Sequence, residues 1–349
     1  WMRSSAAPWT SSSAACAASS RVGSVSTWMG SGYGDTGDPL VISSGEIHNV
    51  EPNKDTGGMA TEPARLAAIV PVVVGPYDLG KLTIPVTTTL RSGDYGVDAE
   101  TPIPLQYEGI RVRIQQMKMT MFGVVPATSK GFIKNPTRCT TGTNAISATF
   151  TSGGSASPVT KTADYPVTDC ATRFFNSAPT IAVSDLNHEI EQPTGLTLDV
   201  DTAADNPSIS RVKTTMPAGL TLNPAVGNKV WYCAEDANLN AALASDTCDP
   251  RSVIGTVQAQ TPLLAGTYPG KVVLAKPGAT PAERYKLAMI IKIPGTNVIV
   301  HGTTTVDGSG QGTGGGSGLI VTDFDNLPDL NFSHMKIHFD NGPDALLAN

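Results

Sequence analysis

Alternation of apolar and polar residues is the strongest pattern in this chain, and it predicts β-strands. The run KLTIPVTTTL at residues 81–90 has an apolar side chain at nearly every second position, as a half-buried strand does. In IRVRIQQMKMTMF, Ile110 and Ile114 share one parity, whereas Met117 falls on the other. A strand of period two cannot keep both sets on one face. We therefore predict a β-bulge near Gln115–Gln116.

The second half of the chain repeats the pattern in short β-rich runs bounded by Gly, Pro, Asn or Asp. These runs are TGLTLDVD, SVIGTVQAQT, GKVVLAKP, YKLAMIIKI, NVIVHGTTTV, GLIVTDF and HMKIHF. One segment, AEDANLNAALAS at residues 234–245, is typical of a short helix. We predict an all-β protein with two antiparallel β-sandwich domains of the immunoglobulin-like kind and this one helix.

The domain organisation follows from where the strand patterns begin and divide. Residues 1–60 are low in complexity and lack a period, so we predict an extended N-terminal arm there. The strand runs that follow predict a first sandwich domain over residues 61–185 and a second over residues 186–349. A chain of 349 residues has room for this arrangement.

Composition narrows the class of protein. Charged residues make up only 15% of the chain. The chain has 35 glycines and 26 prolines, as expected for many short strands joined by turns. The formal net charge of −6 argues against a nucleic-acid partner, which needs a basic face. The chain contains no run of 18 apolar residues, so we predict no membrane-spanning helix. The residues after Trp1 contain no apolar stretch of the kind that a signal peptide has.

The glycine-rich stretch VDGSGQGTGGGSGLIVTDFDNLPDL at residues 306–330 is the most conspicuous candidate site. A phosphate-binding loop needs a Lys after the glycines and a helix beyond them, whereas GLIVTDF predicts a strand. A calcium loop needs regularly spaced acidic residues, and Asp307 has none before Asp323. We therefore predict a hairpin loop between NVIVHGTTTV and GLIVTDF, with no cofactor.

Other polar residues are candidates for metal ligands or catalysts. Asp323 and Asp325 alternate on one strand face and are minor candidates for a metal site, as are Asp199, Asp201 and Asp205. His334 and His338 have a zinc-like spacing, but on a strand about 13 Å separates them, so they cannot share a metal. The chain has no GxSxG motif, and we predict that it is not an enzyme.

Ordered phrases in the chain carry a family resemblance. They include TTTLRSGDYGVDAE, FIKNPTRC and PTGLTLDV in the first half, then MPAGLTLNPAVGN, YCAEDANL, NVIVHGTTTV and DFDNLPDLNFSHMKIHFDNGPDALLAN. Over residues 80–349 the chain resembles a repeated β module of large secreted or cell-surface actinobacterial proteins of unknown function. The resemblance implies an extracellular setting, and it implies no catalytic residues.

Cysteine pairing is the strongest chemical prediction. Cys233 and Cys248 bracket the predicted helix, and their analogues recur as a pair in the family that the chain resembles. Cys139 and Cys170 flank one long loop region. We predict the disulfides Cys139–Cys170 and Cys233–Cys248, because even pairing within each domain fits an oxidising compartment. The alternative is four reduced, buried thiols.

Together these patterns predict a structural protein of the cell surface that assembles with copies of itself into an oligomer or polymer. The arm carries apolar residues that a solvated tail does not need, and we predict that it adds a strand to a neighbour's sheet. The interaction residues predicted on the arm are Trp9, Trp28, Tyr33, Leu40, Val41 and Ile42. The alternative is an adhesive or carbohydrate-binding module with a glycan as its partner.

Overall fold

A computed structural model describes most of the chain. The described residues are 16–30, 41–56, 58, 60–111, 113–137, 144–152, 157–169, 174–184, 186–187, 189, 192–203, 205–278, 285–306 and 319–348. The backbone divides into two compact units, residues 1–134 with 294–296 and residues 135–293 with 297–349. Strands dominate both, so the all-β prediction is confirmed.

The first unit is built on a six-stranded antiparallel sheet. Its spatial order is β5 (Val97–Glu100), β4 (Tyr77–Leu90), β3 (Arg65–Val74), β2 (Val41–Val50), β1 (Arg21–Gly30) and β8 (Arg113–Met121). Two short ribbons accompany it, β6 (Gln106–Tyr107) with β7 (Ile110–Arg111) and β9 (Val124–Val125) with β10 (Lys130–Gly131). A 3-10 helix, Ala18–Ser20, precedes β1.

The core of the first unit lies on one face of this sheet. In β4 the buried positions alternate with more exposed ones from Leu82 to Val86, as the sequence pattern predicts. Val25, Ile47 and Ile84 are at most 1% exposed and pack in one cluster with residues of β3. Burying such side chains is the main stabilising contribution, at about 1.5–3 kcal/mol each.

The predicted bulge is confirmed in β8. Trp28 pairs with Gln116 and Met29 pairs with Ile114, so Gln115 is the extra residue on the bulged strand. Ile114 and Met117 both pack against the core although three positions separate them. The inserted residue thus returns the apolar side chains to the inner face.

The prediction of an extended arm over residues 1–60 is wrong for residues 21–30 and 41–50. These residues form β1 and β2, which lie inside the sheet between β3 and β8. Their low hydrophobicity is compatible with burial because small polar side chains occupy inner positions. Thr27 is 1% exposed, Ser43 is 7% exposed, and the Thr27 hydroxyl donates to the Ser43 carbonyl at 3.4 Å.

The second unit is built on a nine-stranded antiparallel sheet. Its spatial order is β13 (Thr180–Ser184), β15 (Leu196–Asp201), β23 (His334–Phe339), β18 (Val253–Thr261), β19 (Leu264–Leu274), β20 (Tyr285–Ile293), β21 (Thr296–Val306), β22 (Ile320–Phe324) and β16 (Val212–Thr215). A three-stranded sheet joins β14 (Pro193–Thr194), β24 (Leu347–Ala348) and β17 (Thr221–Leu222). A separate ribbon pairs β11 (Ala145–Phe150) with β12 (Val159–Asp164).

The middle of the nine-stranded sheet is buried on both faces. In β20 the five residues from Leu287 to Ile291 are all buried, so both parities of the strand are covered. The helix α1 (Asp236–Ser245) covers one face, where Leu243, Ala288 and Ile290 are 0% exposed in one cluster. Short 3-10 helices lie at Pro224–Val226 and Pro250–Ser252.

The boundary between the two units falls between Lys134 and Asn135, not between residues 185 and 186. The strand β13 pairs with β15, which places it in the second unit. The two-sandwich layout is not confirmed, because each unit has one large curled sheet rather than two facing sheets of similar size.

Candidate functional site

The terminal strands of the two large sheets differ in charge. The edge strand β5 carries Asp98 and Glu100, β8 carries Arg113 and Lys118, and β16 carries Lys213. The fourth edge strand, β13, has the sequence TIAVS and carries no charge. Charged residues on an edge strand are the usual protection against pairing with another chain, and β13 lacks that protection.

The edge strand β13 is open to solvent along its length. All five of its residues are exposed, with Ile181 at 61% and Val183 at 52%. It is hydrogen-bonded to β15 on its inner side, in a register that runs from Thr180 opposite Asp201 to Ser184 opposite Thr197. It is the terminal strand on this side of the sheet, and it presents the exposed β-branched side chains of Ile181 and Val183.

The ribbon β11–β12 is a second exposed apolar element of the same unit. All twelve of its residues are exposed, including Ile146 at 61%, Phe150 at 63% and Val159 at 53%. Isolated two-stranded ribbons are marginally stable in water. Exposed apolar side chains on such an element are typical of a surface that contacts another molecule.

An apolar cavity of about 70 Å³ lies on the face of the nine-stranded sheet opposite α1. Strands from both ends of the sheet line it, with Ile181 from β13 and Val212 from β16, so the sheet curls around it. The deepest residues belong to the central strands, where Val272 is 1% exposed and Met289 is 2% exposed. The cavity is thus closed at its floor and more open toward the two edge strands.

The segment between β22 and β23 crosses this inner face and contributes Leu327 to the cavity wall. The Leu327 backbone N–H donates to the Ser210 carbonyl at 3.1 Å. The Asp329 carboxylate accepts from the Thr137 backbone N–H at 2.7 Å and from the Thr137 hydroxyl at 2.6 Å. These bonds position the segment against two other parts of the unit.

The disulfide Cys233–Cys248 is confirmed, and it brackets α1 as predicted. Both cysteines are buried in the cluster that Leu243 forms with the sheet. Helix α1 ends at Ser245 and is capped by Asp246, which has φ 57°, a left-handed conformation that Asp adopts more readily than most residues. Cys139 and Cys170, and with them the second predicted disulfide, lie outside the described residues.

The Asp246 carboxylate lies between two lysines of the sheet. Lys271 Nζ is 2.5 Å from Oδ1 and Lys292 Nζ is 2.6 Å from Oδ2. Burial raises the pKa of Asp246, but the two ammonium groups outweigh this and hold the pKa below its ordinary value. The pair of lysines therefore offsets a carboxylate at a helix C-terminus, where the helix dipole disfavours negative charge.

An aromatic pair with flanking charges lies beside the disulfide. The rings of Trp231 and Tyr232 stack with centroids 4.9 Å apart. Arg251 lies over the Trp231 ring at 5.5 Å and Lys276 lies over the Tyr232 ring at 5.8 Å. Hydrogen bonds from Lys276 and from the Tyr232 hydroxyl lower the pKa of Glu235. Trp231 is still 49% exposed, so the pair can contact a ligand.

Of the two acidic candidates near the end of β22, Asp323 is engaged by an arginine. Asp323 accepts from Arg211 through both carboxylate oxygens, with Nε at 2.8 Å from Oδ1, and this hydrogen bonding lowers the pKa of Asp323. Asp325 follows the end of β22 and is exposed. Among the residues with described positions, no group of three or more His, Cys, Asp or Glu side chains is arranged to hold a metal.

The two histidines with zinc-like spacing lie on one strand, β23, as predicted. His334 Nδ1 is 2.8 Å from an Asp201 oxygen, and its Nε2 is 3.6 Å from Asp199. His338 Nδ1 is 2.7 Å from the Thr197 hydroxyl. The strand thus directs the two rings to different neighbours.

The predicted interaction residues of the arm separate into two groups. Trp28 lies in β1, and Val41 and Ile42 lie in β2, where Ile42 is 64% exposed. The rest, Trp9, Tyr33 and Leu40, lie outside the described residues. The strand β13 is not among the predicted strands, although the β-branched residues of TIAVS between Pro179 and Asp185 are a signal for a strand.

The predicted glycine-rich hairpin is confirmed in its strands. β21 and β22 pair from Thr303 opposite Asp323 to Val306 opposite Ile320. The glycine-rich residues 307–318 lie outside the described residues.

No protein-family model, no curated protein and no solved structure matches this chain. The similarity to a repeated actinobacterial module therefore stays a prediction from the sequence phrases. Helix α1 has ten residues, and the part of the chain that the structure describes contains no helix with the length and apolarity that a membrane crossing requires.

Proposed function

We propose that this protein is an extracellular structural subunit of a cell-surface layer or filament, and that it associates with copies of itself through β13. The observation that carries the proposal is the exposed edge strand TIAVS, the one terminal strand of the two large described sheets without a charged residue. No catalytic step is part of this function.

The sequence of β13 is complementary to itself. When two copies pair antiparallel about a two-fold axis at Ala182, Ile181 faces Val183 of the other copy, and Thr180 faces Ser184. Such cross-strand pairs contribute roughly 0.2–1 kcal/mol each, and the strands also exchange backbone hydrogen bonds. The contact joins two nine-stranded sheets into one continuous sheet.

A two-fold contact at β13 closes a dimer, so a layer or filament needs a second contact. The ribbon β11–β12 supplies a candidate, because Ile146, Phe150 and Val159 are all more than half exposed. It takes the place of the predicted strand donation for residues 21–30 and 41–50 of the arm. Because β1 and β2 are inner strands of their own sheet, they are not available for donation.

The extracellular part of the proposal is supported by the disulfide Cys233–Cys248. Disulfides persist in oxidising compartments and are rare where thioredoxin and glutathione keep thiols reduced. The family resemblance over residues 80–349 agrees with this setting.

The test of the proposal places charge on β13. Val183→Lys puts a lysine opposite Ile181 of the partner copy in both halves of the two-fold contact. The double variant Ile181→Glu/Val183→Lys puts the introduced carboxylate of each copy opposite the introduced ammonium group of the other and restores complementarity. Sedimentation velocity at up to about 0.1 mM protein detects weak dimers. We expect association of the unmodified protein, dissociation of the single variant and recovery in the double variant.

The control is Val97→Lys, which adds the same charge to β5, another exposed edge strand. We expect it to leave association unchanged. A monomeric unmodified protein, or equal association of Val183→Lys and the parent, contradicts the proposal. Recovery in the double variant should weaken with salt, because an exposed ion pair is screened.

A glycan-binding surface is the second candidate function, and the exposed Trp231 favours it. Aromatic rings at a surface can cover the apolar face of a sugar, but Arg251 and Tyr232 already lie against this ring. Tryptophan fluorescence during titration with oligosaccharides tests the candidate, with Trp231→Ala as the matched variant. A response that persists in Trp231→Ala excludes this surface as the glycan site.

A further inference from the structure

We infer that the ribbon of β11 and β12 joins a second copy of the chain edge to edge through β11, and that this contact extends the dimer at β13 into a filament. The inference deepens the proposed function and rests on it for the contact at β13. Three features of the ribbon carry it: the character of its two faces, the charges on its two strands, and the register in which β11 can pair with itself.

The ribbon has an apolar face and a face rich in hydroxyl groups. Residues directly opposite each other in an antiparallel pair share a face. By this rule the apolar face consists of Ile146, Ala148, Phe150, Val159 and Ala163 together with Lys161. On the other face, the hydroxyls of Thr149 and Thr160 are 2.8 Å apart. All twelve residues of the ribbon are exposed, so the described part of the chain covers neither face.

The backbone of the ribbon favours a protein strand over a lipid surface as the partner. Within the described residues, β11 is paired with β12 alone. Insertion of the ribbon into a membrane would place its open strand edges in hydrocarbon, where backbone groups find no hydrogen-bond partners. A strand from another protein chain supplies those partners. A third strand also stabilises a ribbon that is marginal in water by itself.

The charges on the two strands favour β11 as the contact edge. The strand β12 carries Lys161 and Asp164, whereas β11, with the sequence AISATF, carries no charge. Charged side chains are the usual protection of an edge strand against pairing with another chain. The strand β11 lacks this protection, as β13 does.

The sequence of β11 is complementary to itself when two copies pair antiparallel about a two-fold axis at Ala148. Ile146 then faces Phe150 of the other copy on the apolar face, and Ser147 faces Thr149 on the hydroxyl face. The two ribbons form one four-stranded sheet with a continuous apolar face. Lys161 lies on its outer strands, so three strand spacings, about 14 Å, separate the two lysines. Repulsion over that distance is largely screened at physiological salt.

A subunit with two different two-fold contacts forms a chain of subunits. The strands β13 and β11 belong to different sheets of the second unit, so the two contacts use different edges. Each contact alone closes a dimer, but the two in alternation add one subunit after another. The expected assembly is therefore a filament in which β13 contacts and β11 contacts alternate.

The experiment places charge on β11 and measures assembly by sedimentation velocity and negative-stain electron microscopy, at up to about 0.1 mM protein. We expect filaments from the unmodified protein. Ile146→Lys puts a lysine opposite Phe150 of the other copy in both halves of the contact, so assembly should stop at dimers joined by β13. The dissociation expected of Val183→Lys should likewise stop at dimers, joined by β11. The variant with both substitutions should be monomeric.

A charge-swapped variant and a matched control sharpen the test. Ile146→Lys/Phe150→Glu puts each introduced ammonium group opposite an introduced carboxylate and should restore filaments. Ala163→Lys adds the same charge to the same face, directly opposite Ile146, but on β12. It should leave the filaments intact. Equal loss of filaments in Ala163→Lys would show that the ribbons pack face to face, which overturns the inference. Filaments of Ile146→Lys equal to those of the parent overturn it as well.

The outcomes distinguish this inference from the proposed function. Dimers of the unmodified protein that Val183→Lys dissociates and Ile146→Lys leaves intact refute the contact at β11 and support the one at β13. The reverse pattern refutes the contact at β13 and supports pairing through β11. A monomeric unmodified protein refutes both. Flotation with vesicles of phosphatidylcholine and phosphatidylglycerol that is lost in Phe150→Glu would assign the apolar face to lipid and overturn the inference.

Discussion

The two large sheets bury their apolar residues differently. In the six-stranded sheet the strands β5 to β1 are neighbours in both space and sequence, and β4 buries alternate residues on one face. In the nine-stranded sheet, β15 lies beside β23 although more than a hundred residues separate them in the chain, and β20 is buried on both faces. The stability of the second sheet therefore depends on what covers each face. Helix α1 with its disulfide covers one face, and the curl of the sheet encloses a partly open cavity on the other.

The two sheets also differ in how far apart in the chain their paired strands lie. Contacts between distant residues require the closure of long loops before they stabilise the fold, so such topologies fold slowly. The first sheet is built mainly from hairpins, whereas the second brings β13, β15 and β23 together from opposite ends of its unit. The disulfide Cys233–Cys248 lies in the second unit, whose sheet pairs strands that are far apart in the sequence.

The largest expected effect is the loss of stability when a substitution creates a cavity in either core. Ile47 and Ile290 are both 0% exposed, one in each unit. Replacing either by Ala should lower the free energy of unfolding by about 2–5 kcal/mol. Hydrogen exchange should show the loss of protection within the unit that carries the substitution. Equal loss in both units for either variant would show that the two cores unfold together, which removes the basis of the comparison.

The next effect concerns the disulfide on the second unit. The variant Cys233→Ser/Cys248→Ser opens a loop with a sequence separation of 15 and should reduce the free energy of unfolding by about 3 kcal/mol. Because the bond braces the helix-covered face, protection should fall first in α1 and in β19. Chemical denaturation with and without reductant measures the change, and the effect of reductant should be smaller in the double variant than in the parent by about this amount. A reductant effect of similar size in the variant would assign the stabilisation to other cysteines.

A smaller and pH-dependent effect comes from Asp246. Asp246→Asn keeps a side chain that tolerates the left-handed backbone and removes the charge that Lys271 and Lys292 contact. We expect a loss of at most about 1 kcal/mol at neutral pH, since the group is partly exposed. The folded-state pKa of Asp246 is lowered, so this stability is present above the unfolded-state value of 3.8 and is lost as the pH falls through the folded-state pKa.

Denaturation of parent and variant from pH 3 to 7 tests this sign. The two curves should differ at neutral pH and converge at the acid end. A difference that grows as the pH falls would contradict the assignment of a lowered pKa to Asp246.

The smallest effect is expected at the glycine-rich hairpin. Replacing residues 308–318 by Asn-Gly continues the register in which Val306 faces Ile320, and Asn-Gly is a favoured two-residue hairpin turn. The thermal midpoint should stay within about 2–4 °C of the parent, the shift that about 1 kcal/mol causes in a domain of this size. A larger fall would mean that the replaced residues contribute contacts to the second unit.

Local sequence patterns were sufficient to predict many elements of this fold. The strands of the second half, the helix before Cys248 and the bulge at Gln115 follow from the sequence, because each depends on residues within a few positions. The hairpin of β21 and β22 follows for the same reason. The Cys233–Cys248 pair was predicted from its position around the helix together with the family resemblance.

The inner position of β1 and β2 was not predictable from their own residues. These strands contain many Ser, Thr and Gly residues, and a segment of that composition cannot form a core alone. Their burial depends on β3 and β8, which supply apolar side chains and backbone hydrogen bonds from elsewhere in the chain. Composition therefore indicated an arm where the tertiary structure has two inner strands.

The sequence by itself determined that this is an all-β protein with charge-poor strands, one helix and a disulfide around that helix. Only the tertiary structure decided that TIAVS is an edge strand and that the inner face of the nine-stranded sheet leaves an apolar cavity. The physical reason is that alternation within a strand is a local property, whereas the edge and the curl depend on which distant strands become neighbours.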